Sequence, residues 1–93
     1  MNKYFIEFLG TLFLIFIILA TKNALAIGAA LTIAIMLGGD ISGGNFNPAI
    51  SMIMFATGKL SSNDLIFYII SQVAGGLAAL EIYKHIKLFI SPT

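Results

Sequence analysis

Segment 38–48 (GGDISGGNFNP) contains the residues whose types and spacing could contact a polar solute. Its glycines and its proline favour an irregular backbone. We expect the backbone carbonyls of Gly43, Gly44 and Asn45 to act as hydrogen-bond acceptors. Asn47 adds a side-chain amide donor just before the positive end of a predicted helix. This arrangement predicts contact with a small neutral hydrogen-bonding solute and opposes cations.

The helix predicted after this segment is unusually short. Asn47 is a favourable N-cap, Pro48 suits the first helical position, and Gly58 predicts a stop. A helix of about ten residues is ~15 Å long, half the ~30 Å of membrane hydrocarbon. Its residues are nevertheless too apolar for an exposed loop. We therefore predict a re-entrant loop and half-helix over about residues 41–57, with Pro48 and Ala49 at the tip.

The rest of the chain supplies hydrophobic segments that could hold this loop in a membrane. Of the 93 residues, 59% are hydrophobic and 10% charged, and the mean hydropathy is +1.02. So short a chain cannot hide that much apolar surface from water. Membrane-spanning helices are predicted over about residues 4–20, 24–38 and 65–83. The predicted fold is a single all-α membrane domain over residues 1–93, in which the chain loops from Gly38.

Small residues on two of these spans predict close helix packing, and we assign them no catalytic or binding role. They recur every four positions at Ala26, Ala30, Ala34 and Gly38 in the second span, and at Ser71, Gly75 and Ala79 in the third.

A cleavable signal peptide is the alternative interpretation of the first span, because residues 24–26 (ALA) imitate a cleavage site. Glu7 inside the apolar run argues against it.

The composition excludes several kinds of chemistry. The chain has no cysteine, and its five cationic residues are all lysines, so neither thiol chemistry nor a basic nucleic-acid surface is expected. His85 has no partner at ligand spacing, so we expect a surface histidine and no metal site or cofactor. The sequence has no paired carboxylates and no nucleophile with a base, and an enzyme is not expected.

Four motifs resemble, in order, those of the aquaporin and glycerol-facilitator family. Segment 41–51 (ISGGNFNPAIS) resembles the family's first Asn-Pro-Ala loop. Segments 7–11 (EFLGT), 25–28 (LAIG) and 68–76 (YIISQVAGG) resemble motifs of its first, second and third helices. Together they cover nearly the whole chain but only the N-terminal half of the family pattern. The resemblance implies three transmembrane helices plus one re-entrant half-helix, half of an inverted-repeat fold.

The resemblance also implies roles for residues at the pore. Asn47 would donate its amide to the passing solute, and the three loop carbonyls named above would accept. Pro48 and Ala49 would form the half-helix tip that meets an opposing motif. Ile27 would line the selectivity filter. Ile50 follows Ala49, as in a first half, and the filter arginine of the second half is absent because the chain contains no arginine.

Two further residues would brace the loop. Glu7 matches the buried carboxylate that accepts hydrogen bonds from the loop backbone, and the alternative is an interfacial charge that snorkels to water. Gln72 is expected to make a helix-packing or loop-bracing contact. Asn45 stands where the family commonly has histidine, so the contribution of that ring is lost or altered.

One copy with a single half-helix is not expected to enclose a pore. The expected partner is a second copy, as an antiparallel homodimer or higher oligomer, or a separate second-half polypeptide. The lysines permit either orientation in the lipid bilayer, because their numbers on the two sides are nearly equal and give little positive-inside bias. Lys3 and Lys59 would lie on one side, and Lys22, Lys84 and Lys87 on the other.

The predicted function is a subunit of a passive membrane channel for water and/or small uncharged solutes such as glycerol. Without a filter arginine, we expect a weaker proton barrier or a preference for less polar solutes. Two alternatives stay open. The chain could be a non-conducting truncated product, or a small holin-like pore-forming or interaction protein of the membrane whose glycine loop only connects helices.

Overall fold

The computed structural model describes residues 2–90, and this part of the chain forms four helices. They are α1 (Lys3–Thr21), α2 (Ala24–Ser42), α3 (Pro48–Ala56) and α4 (Ser62–Ile90). Helices α1, α2 and α4 are long and apolar enough to cross a membrane, whereas the nine-residue α3 is only ~14 Å long. The predicted all-α fold of three spans and a half-helix is confirmed. Met1 and residues 91–93, included in the single-domain prediction, lie outside the described residues.

A two-residue turn joins α1 to α2 and makes them antiparallel neighbours. Lys22 adopts the left-handed conformation (φ 48°), and its N–H closes α1 by donating to the Ile18 carbonyl. Asn23 then caps α2, because its side chain accepts from the Ala26 N–H at 3.0 Å. The short polar link predicted between the first two spans is therefore a tight hairpin.

The prediction that the chain loops from Gly38 is wrong, because α2 continues to Ser42. Gly38 is buried, and a Cβ there would come within 2.7 Å of Ile6 Cγ2. The glycine therefore permits close packing against α1 and does not interrupt the helix. Helix α2 ends where Gly43 takes a positive φ of 89°, so the irregular loop is residues 43–47.

Helix α4 is also longer than predicted, running from Ser62 to Ile90 and not from residue 65 to 83. It begins earlier because the Ser61 hydroxyl caps it, accepting from the Asp64 N–H at 3.1 Å. It ends later because nothing after Tyr83 breaks a helix. Its 29 residues span ~43 Å, so α4 is longer than the other helices by several turns.

Helix α1 lies at the centre of the bundle, with α2 on one side and α4 on the other, and α3 packs against α4. The small-residue faces are buried as predicted, at Ala30, Ala34 and Gly38 in α2 and at Gly75 and Ala79 in α4. The beginnings of α1 and α4 are tied by an ion pair between Lys3 Nζ and Asp64 Oδ2 at 2.7 Å. This packing holds the loop over the face of α1.

Candidate functional site

A buried carboxylate organises the irregular loop. Glu7 is fully buried on α1, and among the described residues no lysine pairs with it. Its two oxygens accept four hydrogen bonds, from the Ser42 hydroxyl (2.7 Å), the Asn45 N–H (3.1 Å), the Phe46 N–H (2.7 Å) and the Gln72 amide (2.8 Å). A buried carboxylate without a cationic partner needs several hydrogen-bond donors to offset its lost hydration. Glu7 therefore holds the loop backbone against α1 and α4.

Phe46 is the strained residue of this loop. Its φ of 56° is uncommon for a bulky side chain and costs of order 1–3 kcal/mol. The conformation lets the successive N–H groups of Asn45 and Phe46 reach one carboxylate, as in backbone nests that bind anions. The buried ring fills the space over Gly10, where a Cβ would collide with it. Sequence reasoning missed Phe46 as an anchor, although Gly10, one turn beyond Glu7, makes room for it.

A second set of hydrogen bonds connects the loop to α3 and α4. The Gln72 amide donates to Ser51 Oγ at 2.8 Å, and the Asn45 amide donates to the same oxygen at 2.8 Å. Both Ser51 and Gln72 are almost completely buried. The Asn45 side chain therefore braces α3 and is not directed to a passing solute. Ser51, one turn after Asn47 in a helix, could have been noticed as a polar residue on an apolar segment.

The carbonyl groups at the loop divide into two kinds. The Ser42 carbonyl, at the end of α2, accepts from the buried Tyr68 hydroxyl at 2.6 Å. By contrast, the carbonyls of Gly43, Gly44 and Asn45 accept no hydrogen bond from any of residues 2–90. Gly43 is exposed, Gly44 is half-buried and Asn45 is buried. The carbonyl oxygens of Gly43 and Gly44 can therefore accept from an incoming molecule. Tyr68, which sequence reasoning missed, fixes the end of α2.

The half-helix begins at Asn47, which is exposed. Its Oδ1 accepts from the Ala49 N–H at 2.7 Å, so the amide nitrogen is the end of the side chain that can donate outward. Pro48 follows in the first turn, where its missing N–H is not needed. Pro48 and Ala49 are exposed, so the tip is open to its surroundings.

A cavity of about 340 Å³ opens at this tip. We call it the tip cavity, and it is lined by Thr11, Leu14, Ile15, Ile18, Phe46, Asn47, Pro48, Gln72, Val73 and Gly76. Thr11 and Leu14 lie ~12–17 Å from the start of α1, near the middle of that helix. The amide of Asn47 and the N-terminus of α3 are therefore near the middle of the spanning region.

A second cavity of about 430 Å³ lies between α1 and α2. We call it the α1–α2 groove, and it is lined by Ile6, Leu9, Gly10, Phe13, Ile33, Ala34, Leu37, Gly38, Ile41 and Phe46. All of these side chains are apolar. The groove therefore differs from the tip cavity, which has a threonine, an asparagine and a glutamine in its wall.

Ile27 is the predicted site residue that lies apart from the others. It is half-buried in the first turns of α2, ~24 Å along the helix from Gly43, and it lines neither cavity. The structure brings Glu7 and Gln72 together beneath the loop that leads to Asn47. Within residues 2–90, no three His, Asp or Glu side chains cluster as metal ligands would.

Comparison with known proteins agrees with this architecture. A family model described as "Major intrinsic protein" matches residues 1–90. The chain is 39% identical to "Glycerol uptake facilitator protein-like 6" of Lactiplantibacillus plantarum, over 98% of this chain and 45% of that protein. It is 40% identical to "Aquaporin Z" of Brucella melitensis, over 88% of this chain and 42% of that protein.

A third relative is "Aquaglyceroporin AqpS" of Rhizobium meliloti, 36% identical over 75% of this chain and 30% of that protein. The chain thus spans less than half the length of these curated relatives. No solved structure shows significant similarity to it.

Proposed function

Because the chain belongs to the major intrinsic protein family, a family of membrane channels, we propose that it forms half of a passive pore for water or small uncharged solutes such as glycerol. The chain is an integral, multi-pass membrane protein. Relatives named for glycerol uptake and as aquaporins support both solute classes. The proposal assigns the chain transport and no catalysis.

The observation that carries this proposal is the loop held by Glu7. Backbone with unpaired carbonyls is tolerated at membrane depth only where it lines a watery cavity or is covered by protein. The free carbonyls of Gly43, Gly44 and Asn45 lead to the Asn47 amide at the tip of α3. A solute that loses its hydration shell can exchange hydrogen bonds along these groups, while the α3 dipole opposes cations.

The pore also requires a second half. Helix α3 is half the length of a span, and it packs against α4 but leaves the apolar side chains of Ile50, Met52 and Ile53 exposed. A half-helix tip with free backbone N–H groups is costly in lipid. We propose that a second copy of the chain in antiparallel orientation, or a separate second-half polypeptide, covers this tip and completes the pore.

The test is osmotic water and glycerol flux in proteoliposomes that contain the 93-residue chain. Asn47→Leu removes both the cap and the outward donor, whereas Asn47→Asp keeps an oxygen that can cap α3 and removes the donor. Both variants should lower the flux about tenfold, as for the loss of one hydrogen bond of ~1.4 kcal/mol. Asn63→Leu, at an exposed position in the first turn of α4, is the control and should keep the wild-type flux.

Flux of folded Asn47→Asp protein at the wild-type rate would contradict the proposed donor. Large lesions that also pass ions would contradict a selective pore and favour the holin-like alternative.

A further inference from the structure

Helix α2 packs against α1 and against no other helix of residues 2–90. Its buried residues Ala30, Ala34 and Gly38 lie on the side towards α1. The opposite side of the helix is uncovered within the described chain, and we call it the outer face of α2. Its exposed residues follow the helical spacing i, i+4, i+7, i+11 and i+15, and they are Leu25, Ala29, Thr32, Met36 and Asp40.

The apolar part of the outer face has large side chains at its ends and small ones in the middle. Leu25 is 84% exposed and Met36 is 77% exposed. Ala29 and Thr32 lie between them, and the Thr32 hydroxyl is already satisfied, because it donates to the Gly28 carbonyl at 2.8 Å. The middle of the face therefore offers another helix a close approach without an unpaired polar group.

A charge without a partner lies at each end of the outer face. Asp40 is in the last turn of α2, and Lys22 is in the turn just before α2 begins. Both are exposed, and neither forms an ion pair within residues 2–90. A carboxylate in the last turn of a helix is unfavourable, because that end of the helix dipole is also negative. Asp40 therefore favours a nearby cation, and none of the described residues supplies one.

Two copies of α2 packed antiparallel would pair both charges. The start of one helix then lies beside the end of the other, so Lys22 reaches the partner's Asp40, and the same pair forms again at the opposite end. Facing residue numbers then have the constant sum of 22 and 40, which places the two-fold axis beside residue 31. This position is only ~3 Å along the helix from residue 33, the midpoint of α2. The axis thus lies near the membrane midplane, as an antiparallel pair in a bilayer requires.

We infer that the outer face of α2 is the surface on which a second copy of this chain docks in antiparallel orientation. Two equivalent ion pairs between Lys22 and the partner's Asp40 fix the register. The same register places Leu25 beside the partner's Met36 and Thr32 next to the axis. The interface goes beyond the proposed function, because two copies that pair in this way need not conduct. Of the two partners left open above, it selects the second copy.

Introduced cysteines test the register, because the chain has no native cysteine. Thr32→Cys lies one residue from the axis, so oxidation with copper phenanthroline in proteoliposomes should link two copies by a disulfide. Leu25→Cys alone and Met36→Cys alone should give no dimer, because antiparallel packing places identical residues ~15–18 Å apart along the helices. A chain that carries both of these substitutions should form the dimer.

The single variants also separate the alternatives. Dimers formed by Leu25→Cys alone and by Met36→Cys alone would show parallel packing of α2 and would overturn the inference. Absence of dimers from all the cysteine variants would also overturn it, and would leave lipid or a different partner to cover the outer face.

Charge exchange tests the two ion pairs. Asp40→Lys and Lys22→Glu each place like charges at both ends of the interface, and each should lower the yield of the Thr32→Cys disulfide about tenfold. The double variant with Lys22→Glu and Asp40→Lys exchanges the charges and should restore the yield. Lys87→Glu is the matched control, because it makes the same charge change at an exposed position outside α2, and it should leave the yield unchanged. A double variant that dimerises as poorly as the single ones would contradict the ion pairs.

These measurements do not use solute flux. Linked pairs that conduct neither water nor glycerol would refute only the proposed function, whereas flux without any link between the α2 helices would refute only this interface.

Discussion

At the scale of single residues, the loop depends on a charge that has no cationic partner. Glu7 lies in a spanning helix and is balanced by four donors, two of them N–H groups of the loop itself. Charged hydrogen bonds are stronger than neutral ones, which is how this carboxylate offsets both its own burial and the strained φ of Phe46. The shape of the loop is therefore set by α1 and not by the loop sequence alone.

Glu7→Gln tests this dependence with an almost isosteric change. One oxygen becomes an NH₂ group and points hydrogens at donors that already occupy the site. We predict a loss of roughly 2–4 kcal/mol in the free energy of unfolding, measured in detergent by circular dichroism. Glu81→Gln, at an exposed position with only a long 3.4 Å pair to Lys84, should change it by less than about 0.5 kcal/mol. Equal effects of the two variants would disprove the role of Glu7.

The sequence indicated some of these residues and could not indicate others. Glu7 and Gln72 were noticeable because a carboxylate and an amide are rare in apolar spans. Phe46 looked like one more hydrophobic residue, because its positive φ arises only when the chain must direct two N–H groups at Glu7. The role of Ile27 rests only on the resemblance of its segment to the second helix of the family, and Ile27 lines neither cavity. Its proposed place in the filter stays a prediction.

At the scale of helices, glycine has two opposite effects in this chain. Gly43 ends α2 by adopting a positive φ, whereas Gly38 and Gly75 lie inside helices and let neighbours approach closely. The sequence cannot separate these uses, because both appear as glycine in an apolar segment. The end of α2 was therefore predicted four residues too early, while the number and order of the helices, which depend on hydrophobic length, were predicted correctly.

Gly75→Ala should separate α1 from α4. A Cβ at this position would lie against the Phe8 carbonyl oxygen and 3.2 Å from the Leu12 N, both backbone atoms that cannot rotate away. We predict a destabilisation of ~1–3 kcal/mol in thermal unfolding, from overpacking at the helix crossing. Gly28→Ala is the control, because nothing lies within 4 Å of a Cβ there. The Gly28→Ala change should be neutral or should stabilise the protein by up to ~1 kcal/mol. A Gly75→Ala protein that is also stabilised would contradict the close crossing of α1 and α4.

At the scale of the whole molecule, the described chain is an elongated bundle with overall extents of 47 × 23 × 23 Å, in which α1 packs against both α2 and α4. The loop crosses α1 from α2 to reach α3, which lies against α4. Polar groups thus collect at one tip near the middle of the spanning region. A second copy related by a two-fold axis in the membrane plane would bring two such tips together, and this relation requires that copies insert in both orientations.

Insertion in both orientations can be measured directly, because the chain has no native cysteine. Lys22 lies in the α1–α2 turn and Lys59 in the α3–α4 turn, and both are exposed. In the proposed topology these two turns would face opposite sides of the membrane. If copies pair antiparallel, an impermeant maleimide should label about half of the molecules of each variant, Lys22→Cys and Lys59→Cys, in intact spheroplasts. After lysis, the labelled fraction of both variants should become complete. Full labelling of one site and none of the other would refute the antiparallel pair and leave a separate second-half polypeptide as the partner that completes the pore.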